Sequence, residues 1–246
     1  MRLATRSASI ATWLGLLLGL FICSLPLLAM AAEFKPPQRG LPGRREGGGT
    51  RDPFACTQGT PSQLTAILPA TNLGLTTAEY PRFFWFMPKT KAKFAEFTLF
   101  DVNEQMDDRT PIYKTTFNIT GTPGVASLPL PDKATIPPLV VGKDYHWSVA
   151  LVCNPGDRSK DIKVNGWVQR IIPPASLANQ LAKASPGNRV VLYANNGLWF
   201  DTVTTLAEQR CTHPSDSALA ASWAELLKSV QLGTIATQPL VQQCKK

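Results

Sequence analysis

Histidine is nearly absent from this chain of 246 residues, which contains only His146 and His213. His146 falls on the outward face of a predicted strand, and His213 falls in a Thr-His-Pro turn. The five cysteines show no C-x2-C spacing, which argues against a structural zinc site. We therefore predict no catalytic residues, no metal site and no bound cofactor, and we expect that the protein is not an enzyme.

Phosphate-binding signatures are also missing. The glycine run at residues 47–49 could expose backbone amides to an anion, but no Gly-Lys-Ser/Thr follows it. No predicted strand leads into the run and no predicted helix begins there, as a nucleotide-binding loop would require. The sequence therefore does not favour a nucleotide site.

The N-terminus has the three parts of a secretory signal. Arg2 and Arg6 precede an apolar stretch, residues 10–28, which is followed by the small-residue pattern of residues 29–31. A basic start, an apolar middle and small residues before a cleavage point are recognised by the export machinery. We predict that residues 1–31 are a cleaved signal peptide, and that the mature protein is periplasmic or extracellular.

The alternative is an uncleaved membrane anchor. The apolar stretch is close to the roughly 20 residues that span a bilayer. Ser24 and Pro26 interrupt it, and the Ala-x-Ala ending suits a peptidase, so cleavage is favoured. On either interpretation, a membrane is contacted only through this segment.

Cleavage would remove Cys23 and leave Cys56, Cys153, Cys211 and Cys244, an even number in an oxidising compartment. Four cysteines can pair in three ways, and spacing alone does not choose between them. Cys153 lies in phase with the buried face of its predicted strand, which favours a bond to Cys56. That hypothesis leaves Cys211 to pair with Cys244.

Residues 32–55 are rich in glycine, proline and arginine, which predicts a flexible linker. The whole chain carries a net charge of +8. Arg44, Arg45 and Arg51 are therefore candidate interaction residues for an acidic surface. Because an exported protein rarely meets nucleic acid, we expect an envelope protein or an acidic polymer as partner, and no nucleic acid.

Residues 56–172 alternate short apolar runs with turn residues, which is typical of a sheet protein. Tyr145, Trp147 and Val149 share one face of such a run while His146 faces the other way, a period of two. The predicted strands are residues 63–68, 82–87, 93–102, 111–119, 124–128, 144–153 and 166–172. About seven short strands in one segment predict an Ig-like antiparallel β-sandwich.

After residue 172 the apolar residues change to helical spacing. Leu219, Trp223 and Leu226 recur at intervals of three and four, and Asp216 is placed to cap the start of that helix. Residues 173–246 are therefore predicted to form a small C-terminal helical subdomain, which makes the protein mainly β with α.

Four successive aromatic residues stand at Phe83, Phe84, Trp85 and Phe86. One strand cannot turn all four toward the same core, so two of them must face another layer or a partner. We predict Phe84 and Phe86 as candidate interaction residues. The competing hypothesis, that the helical segment covers them, is favoured because its own tryptophans need neighbours.

Five ordered motifs resemble a known family. They are the Arg/Gly segment of residues 39–51, Phe84-Trp85-Phe86, Tyr145-His-Trp147, the Cys-Asn-Pro-Gly-Asp-Arg-Ser run of residues 153–159, and Gly166-Trp167. Over roughly residues 38–240 the chain looks like the cyanobacterial family called domain of unknown function 928. The resemblance implies export and a cyanobacterial envelope, without any catalytic residue to carry over.

These observations favour a non-catalytic binding or scaffold protein of the cell envelope. The alternative is a carboxylate-dependent hydrolase acting on envelope polysaccharide, using Asp157 and Asp161 with Arg158. A third hypothesis is a purely structural envelope component.

Overall fold

A computed structural model describes residues 34–47, 56–59, 63–132 and 136–241. The predicted signal peptide, Arg51 and Cys244 lie outside the described residues. Within those ranges the chain forms ten β-strands followed by four α-helices.

The strands come first along the chain and the helices last, as predicted. The strands are β1 (Thr57–Gln58), β2 (Thr65–Ala66), β3 (Leu73–Thr76), β4 (Arg82–Met87), β5 (Lys89–Thr90), β6 (Phe94–Val102), β7 (Asp108–Asn118), β8 (Gly124–Pro129), β9 (Asp144–Val152) and β10 (Ile162–Arg170). The helices are α1 (Ala175–Lys183), α2 (Pro186–Asn195), α3 (Trp199–Thr212) and α4 (Ser217–Ser229). The protein is therefore mainly β with C-terminal helices, and the fold class predicted from the sequence is confirmed.

Two sheets build the sandwich. The larger has the order β3-β10-β9-β6-β7 and the smaller has the order β2-β4-β8, while β1 and β5 form a separate two-stranded ribbon. Strands β6, β7, β9 and β10 occupy the places of strands C, C′, F and G in a variable-type immunoglobulin sheet, and β4 and β8 occupy those of B and E. The Ig-like arrangement therefore follows from the strand order.

The larger sheet is not wholly antiparallel, which corrects the prediction. Leu73–Thr76 runs parallel to β10, with Leu73 opposite Trp167. This strand was not predicted because it is four residues long and contains a glycine, and because parallel pairing joins distant segments that no local turn connects.

Aromatic side chains fill the space between the two sheets. The ring of Phe83, on β4, lies 4.9 Å from that of Phe97 and 5.2 Å from that of Trp147, both on the larger sheet. Trp85 lies 6.0 Å from Phe117 of β7. Phe83 and Trp85 are two residues apart, so one face of β4 supplies the core of the sandwich.

The opposite face of β4 is also buried. Phe84 is 1% exposed and Phe86 is fully buried, so neither is available to a partner, contrary to their prediction as interaction residues. The buried side chains of the helices, including Trp199 and Trp223, belong to the same core cluster. The ring of Phe200, on α3, lies 5.4 Å from that of Phe83, so the predicted helical subdomain shares one core with the sandwich.

The docking of α3 needs a close approach to β3. A Cβ placed on Gly74 would lie 2.5 Å from the ring of Phe200, a distance that no real side chain could keep. The indole N–H of Trp199 donates to the carbonyl of Ile67 at 2.7 Å, so this buried donor is satisfied. Glycine at position 74 therefore lets the start of α3 pack directly on the sheet.

A disulfide joins Cys56 to Cys153, which confirms the pairing favoured by the sequence. Their Cα atoms are 5.5 Å apart, within the usual range. The bond ties the β1–β5 ribbon to the end of β9. Cys211 is also disulfide-bonded, and Cys244, its predicted partner, lies outside the described residues.

Residues 34–47 lie against the domain, although their composition predicts a flexible linker. The ring of Phe34 packs edge-on against Trp199 at 4.7 Å. The carbonyl of Pro42 accepts a hydrogen bond from the indole of Trp167 at 2.6 Å. Composition missed this because the segment is fixed by contacts with distant residues rather than by its own apolar content.

Arg45 fastens this segment to the helical layer, so it is not an exposed docking residue. Its guanidinium donates to the carbonyls of Leu68 at 3.0 Å and Val230 at 2.7 Å. Val230 is the C-terminal cap of α4, where a cation suits the exposed carbonyls. Burial lowers the pKa of Arg45 from its ordinary value. Arg44, in contrast, keeps an exposed side chain.

Replacing Arg45 with methionine should destabilise the protein. The change removes charge-assisted hydrogen bonds to two carbonyls, and we expect the free energy of unfolding to fall by about 2 kcal/mol. Urea denaturation followed by tryptophan fluorescence measures the loss. Arg44→Met is the matched control and should change stability by less than about 0.5 kcal/mol. Equal effects of the two substitutions would contradict the structural role of Arg45.

Candidate ligand-binding cleft

A cleft of about 310 Å³ opens between the smaller sheet and the helices. Its walls are built from the turn before β4, the ends of β3, β4 and β8, and one face each of α2 and α3. The lining residues are Thr76, Ala78, Tyr80, Pro81, Arg82, Pro129, Tyr193, Phe200, Asp201, Thr204, Thr205 and Glu208. The volume falls at the lower end of the range for small-ligand sites.

Two regular elements face each other across the cleft. Arg82 and Pro129 are paired across β4 and β8 and form one wall. Thr204 and Glu208 lie four residues apart on α3, so they share the helix face that forms the other wall. A site carried by a strand and a helix is held more rigidly than one carried by loops.

Asp201 lines the cleft and bonds the turn after β3. Its carboxylate accepts hydrogen bonds from the backbone N–H of Thr77 at 3.1 Å and from the Thr77 hydroxyl at 2.5 Å. Asp201 also lies in the first turn of α3, where a negative charge is favourable. Burial of the carboxyl group nevertheless raises its pKa above the ordinary value, since water no longer solvates the charge. Asp201 therefore joins the turn after β3 to α3.

Two tyrosines add half-buried rings to the walls. Tyr80 packs against the core and lines the cleft from the sheet side. Tyr193 lines it from α2, and burial, assisted by the charge of Asp201, raises the pKa of its phenol. Each ring offers an apolar face together with a polar hydroxyl.

Besides Asp201, the charged residues that line the cleft are Arg82 and Glu208. Arg82 donates to the hydroxyl of Ser127 at 3.1 Å, and Glu208 is exposed. Among the described residues, neither side chain has an oppositely charged partner within 4.0 Å. One cation and one anion therefore face the cleft without neutralising each other.

The carboxylates of the hydrolase hypothesis lie elsewhere, at the turn before β10. Asp161 accepts from Arg158 at 2.6 Å, and Arg158 also bonds Glu96 at 3.1 Å. Hydrogen bonds from Ser159, assisted by Lys160, hold the pKa of Asp157 below its ordinary value. These groups form an ion-pair network on the outer face of the larger sheet.

A histidine–carboxylate pair lies on the same outer face. The Nδ1 atom of His146 lies 2.7 Å from a carboxylate oxygen of Asp108, and the imidazole is flanked by the rings of Phe100 and Trp167. The sequence placed His146 on this face but did not identify Asp108 as its partner. No group of three or more metal-ligating side chains occurs within the described ranges.

None of the interaction residues predicted from the sequence lines this cleft. Arg44, Arg45, Phe84 and Phe86 lie outside it, and Arg51 lies outside the described residues. The cleft residues escaped prediction because they come from distant segments that meet only after the helices dock. No local motif marks them.

Comparison with known proteins identifies a family but no characterised relative. The model of a family described as Domain of Unknown Function (DUF928) matches residues 46–240. No curated protein matches the chain at a significant level. In the described part of the chain, no helix is both long enough and apolar enough to span a bilayer.

Asp201 should make stability depend on pH. Because its pKa is raised in the folded protein, the free energy of unfolding falls as pH rises from the ordinary Asp pKa of about 3.9 through the raised pKa. Asp201→Asn removes this titration, so the stability of the variant relative to the native protein should improve as pH rises through that window. Urea unfolding of both proteins at several pH values measures the difference. A difference that stays constant with pH would refute the effect.

Proposed function

Since the chain belongs to the DUF928 family, whose description names no activity, we propose its function from its own cleft and its compartment. It is an exported, non-catalytic binding protein of the cell envelope. The cleft between β4 and α3 is its binding site, and the ligand is a small segment of an envelope component.

The compartment is supported by covalent chemistry. The Cys56–Cys153 disulfide indicates a compartment outside the cytoplasm, because thiols remain reduced in the cytosol. The basic, apolar and small-residue pattern of residues 1–31 supports export through a signal peptide. Together, these two observations support a periplasmic or extracellular location.

Export predicts a defined mature N-terminus. Cell fractionation followed by N-terminal mass spectrometry should find the protein in the periplasmic or extracellular fraction, beginning at Ala32. Replacing Ala29 and Ala31 with leucine should block cleavage and leave the protein attached to the membrane fraction. A cytosolic chain that retains Met1 would contradict export.

The binding role depends on one observation, the unpaired charges of the cleft. Arg82 and Glu208 face the same space from different elements, and neither has an ionic partner among the described residues. Polar groups held apart on rigid walls are already oriented for a ligand and gain partners when one binds.

Catalysis has less support than binding. Asp157 has a lowered pKa and Asp161 bonds Arg158, so neither resembles the protonated acid that a glycoside hydrolase requires. Asp201 has a raised pKa, but its oxygens are already engaged by Thr77. We therefore favour binding over the carboxylate-dependent hydrolase.

Site-specific crosslinking tests the proposal. A photoreactive p-benzoylphenylalanine placed at Glu208 should form covalent adducts with an envelope component in intact cells. The same group at Glu225, an exposed residue of α4 outside the cleft, should not form those adducts. Identical adducts from both positions, or none from Glu208, would refute a binding role for the cleft.

A further inference from the structure

We infer that the ligand of the cleft is a saccharide, one or two pyranose units of an envelope polysaccharide. It would lie between the rings of Tyr80 and Tyr193, with its hydroxyls bonded to Arg82 and Glu208. This inference rests on the proposed function, since it names the ligand class of the same site.

The size of the cleft suits one or two sugar rings. Its volume of about 310 Å³ lies at the lower end of the range for small-ligand sites. Glu208 is exposed, so the cleft is open to solvent on the α3 side. An open cleft lets the rest of a polymer continue away from the units that are bound.

The charged groups match neighbouring hydroxyls. A guanidinium presents several N–H donors in one plane, and a carboxylate presents two acceptor oxygens. Adjacent hydroxyls of a sugar can accept from Arg82 and donate to Glu208 at the same time. A ligand that both accepts and donates can therefore bond to both groups.

The two tyrosines suit the apolar side of a pyranose. The C–H groups on one face of the ring can pack on an aromatic side chain, while the ring hydroxyls remain at the edge. Tyr80 and Tyr193 are half-buried, so they expose ring surface without being free to move. The Tyr193 hydroxyl can bond to a bound sugar, whereas the Tyr80 hydroxyl donates to the carbonyl of Ile136 at 3.4 Å.

Other ligand classes fit less well. A phosphate group would face Arg82 as the single cation among the lining residues, and the first turn of α3 already holds the carboxylate of Asp201. A peptide adding as a strand would need the free edge of β8. That edge is already paired near Val125, which bonds the backbone of Pro239 and Val241.

Isothermal titration of the mature, disulfide-bonded protein tests the inference. The probes are maltotriose, cellotriose, chitotriose and trigalacturonate, with trialanine as a zwitterionic peptide of similar size. We expect at least one trisaccharide to bind and trialanine not to bind. Mass spectrometry of the incubated sugar should show an unchanged chain length, because the site is not catalytic.

Substitutions in the cleft test whether the sugar binds there. Glu208→Gln should weaken the Kd about 10-fold or more, because it replaces hydrogen bonds to a charged group. Tyr193→Ala should weaken it more than Tyr193→Phe, which keeps the ring. Glu225→Gln is the matched control and should leave the Kd unchanged. Circular dichroism checks that each variant is folded.

The outcomes separate the two proposals. Saccharide binding that the cleft variants do not weaken would overturn the site, and binding of trialanine alone would overturn the ligand class. If no sugar binds while crosslinking from position 208 still captures an envelope component, the saccharide inference fails and the proposed function stands. If neither assay gives a signal, both fail. A shortened sugar would show that the protein hydrolyses its ligand, which would overturn the non-catalytic role.

Discussion

The burial of both faces of β4 is the constraint on which the rest of the structure depends. Phe83 and Trp85 fill the space between the two sheets, so Phe84 and Phe86 must be covered from the other side. A two-layer sandwich cannot cover both faces of one of its own strands. The helices belong to the same core. The ring of Phe200, on α3, lies 5.4 Å from that of Phe83, and α3 approaches β3 closely because Gly74 carries no side chain opposite Phe200.

Covering β4 also fixes where the cleft lies. The aromatic residues of the strand are buried, whereas its first residue, Arg82, lines the cleft opposite α3. Space remains there because α3 packs tightly through Phe200 but presents shorter threonines one turn later. Arg45 and the Asp201–Thr77 contact hold the helices against the sheets at separate points. The cleft is therefore a consequence of how the helices dock on the sheets.

Periodicity and composition predicted the class of the fold but not its tertiary contacts. The alternation around Trp147 correctly predicted a strand with Cys153 near its end, because that signal is local. The four aromatics of β4 predicted that two of them face another layer or a partner, and the tryptophans of the helical segment favoured that segment as the cover. Strand β3, the ordering of residues 34–47 by Arg45 and the meeting of Arg82 with Glu208 were not predictable, since each depends on residues far apart in sequence.

The position of the cleft has a consequence for any ligand that binds there. A molecule that contacts Arg82 on β4 and Glu208 on α3 joins two layers that otherwise meet through the core, so it binds only when the helices are docked. Its binding energy is then added to the stability of that docking by mass action. An exposed arginine such as Arg44 could attract an acidic polymer, but it would not couple that polymer to the fold. Rigid walls also reduce the entropy lost on binding, which favours a small uncharged ligand whose affinity must come from a few well-placed contacts.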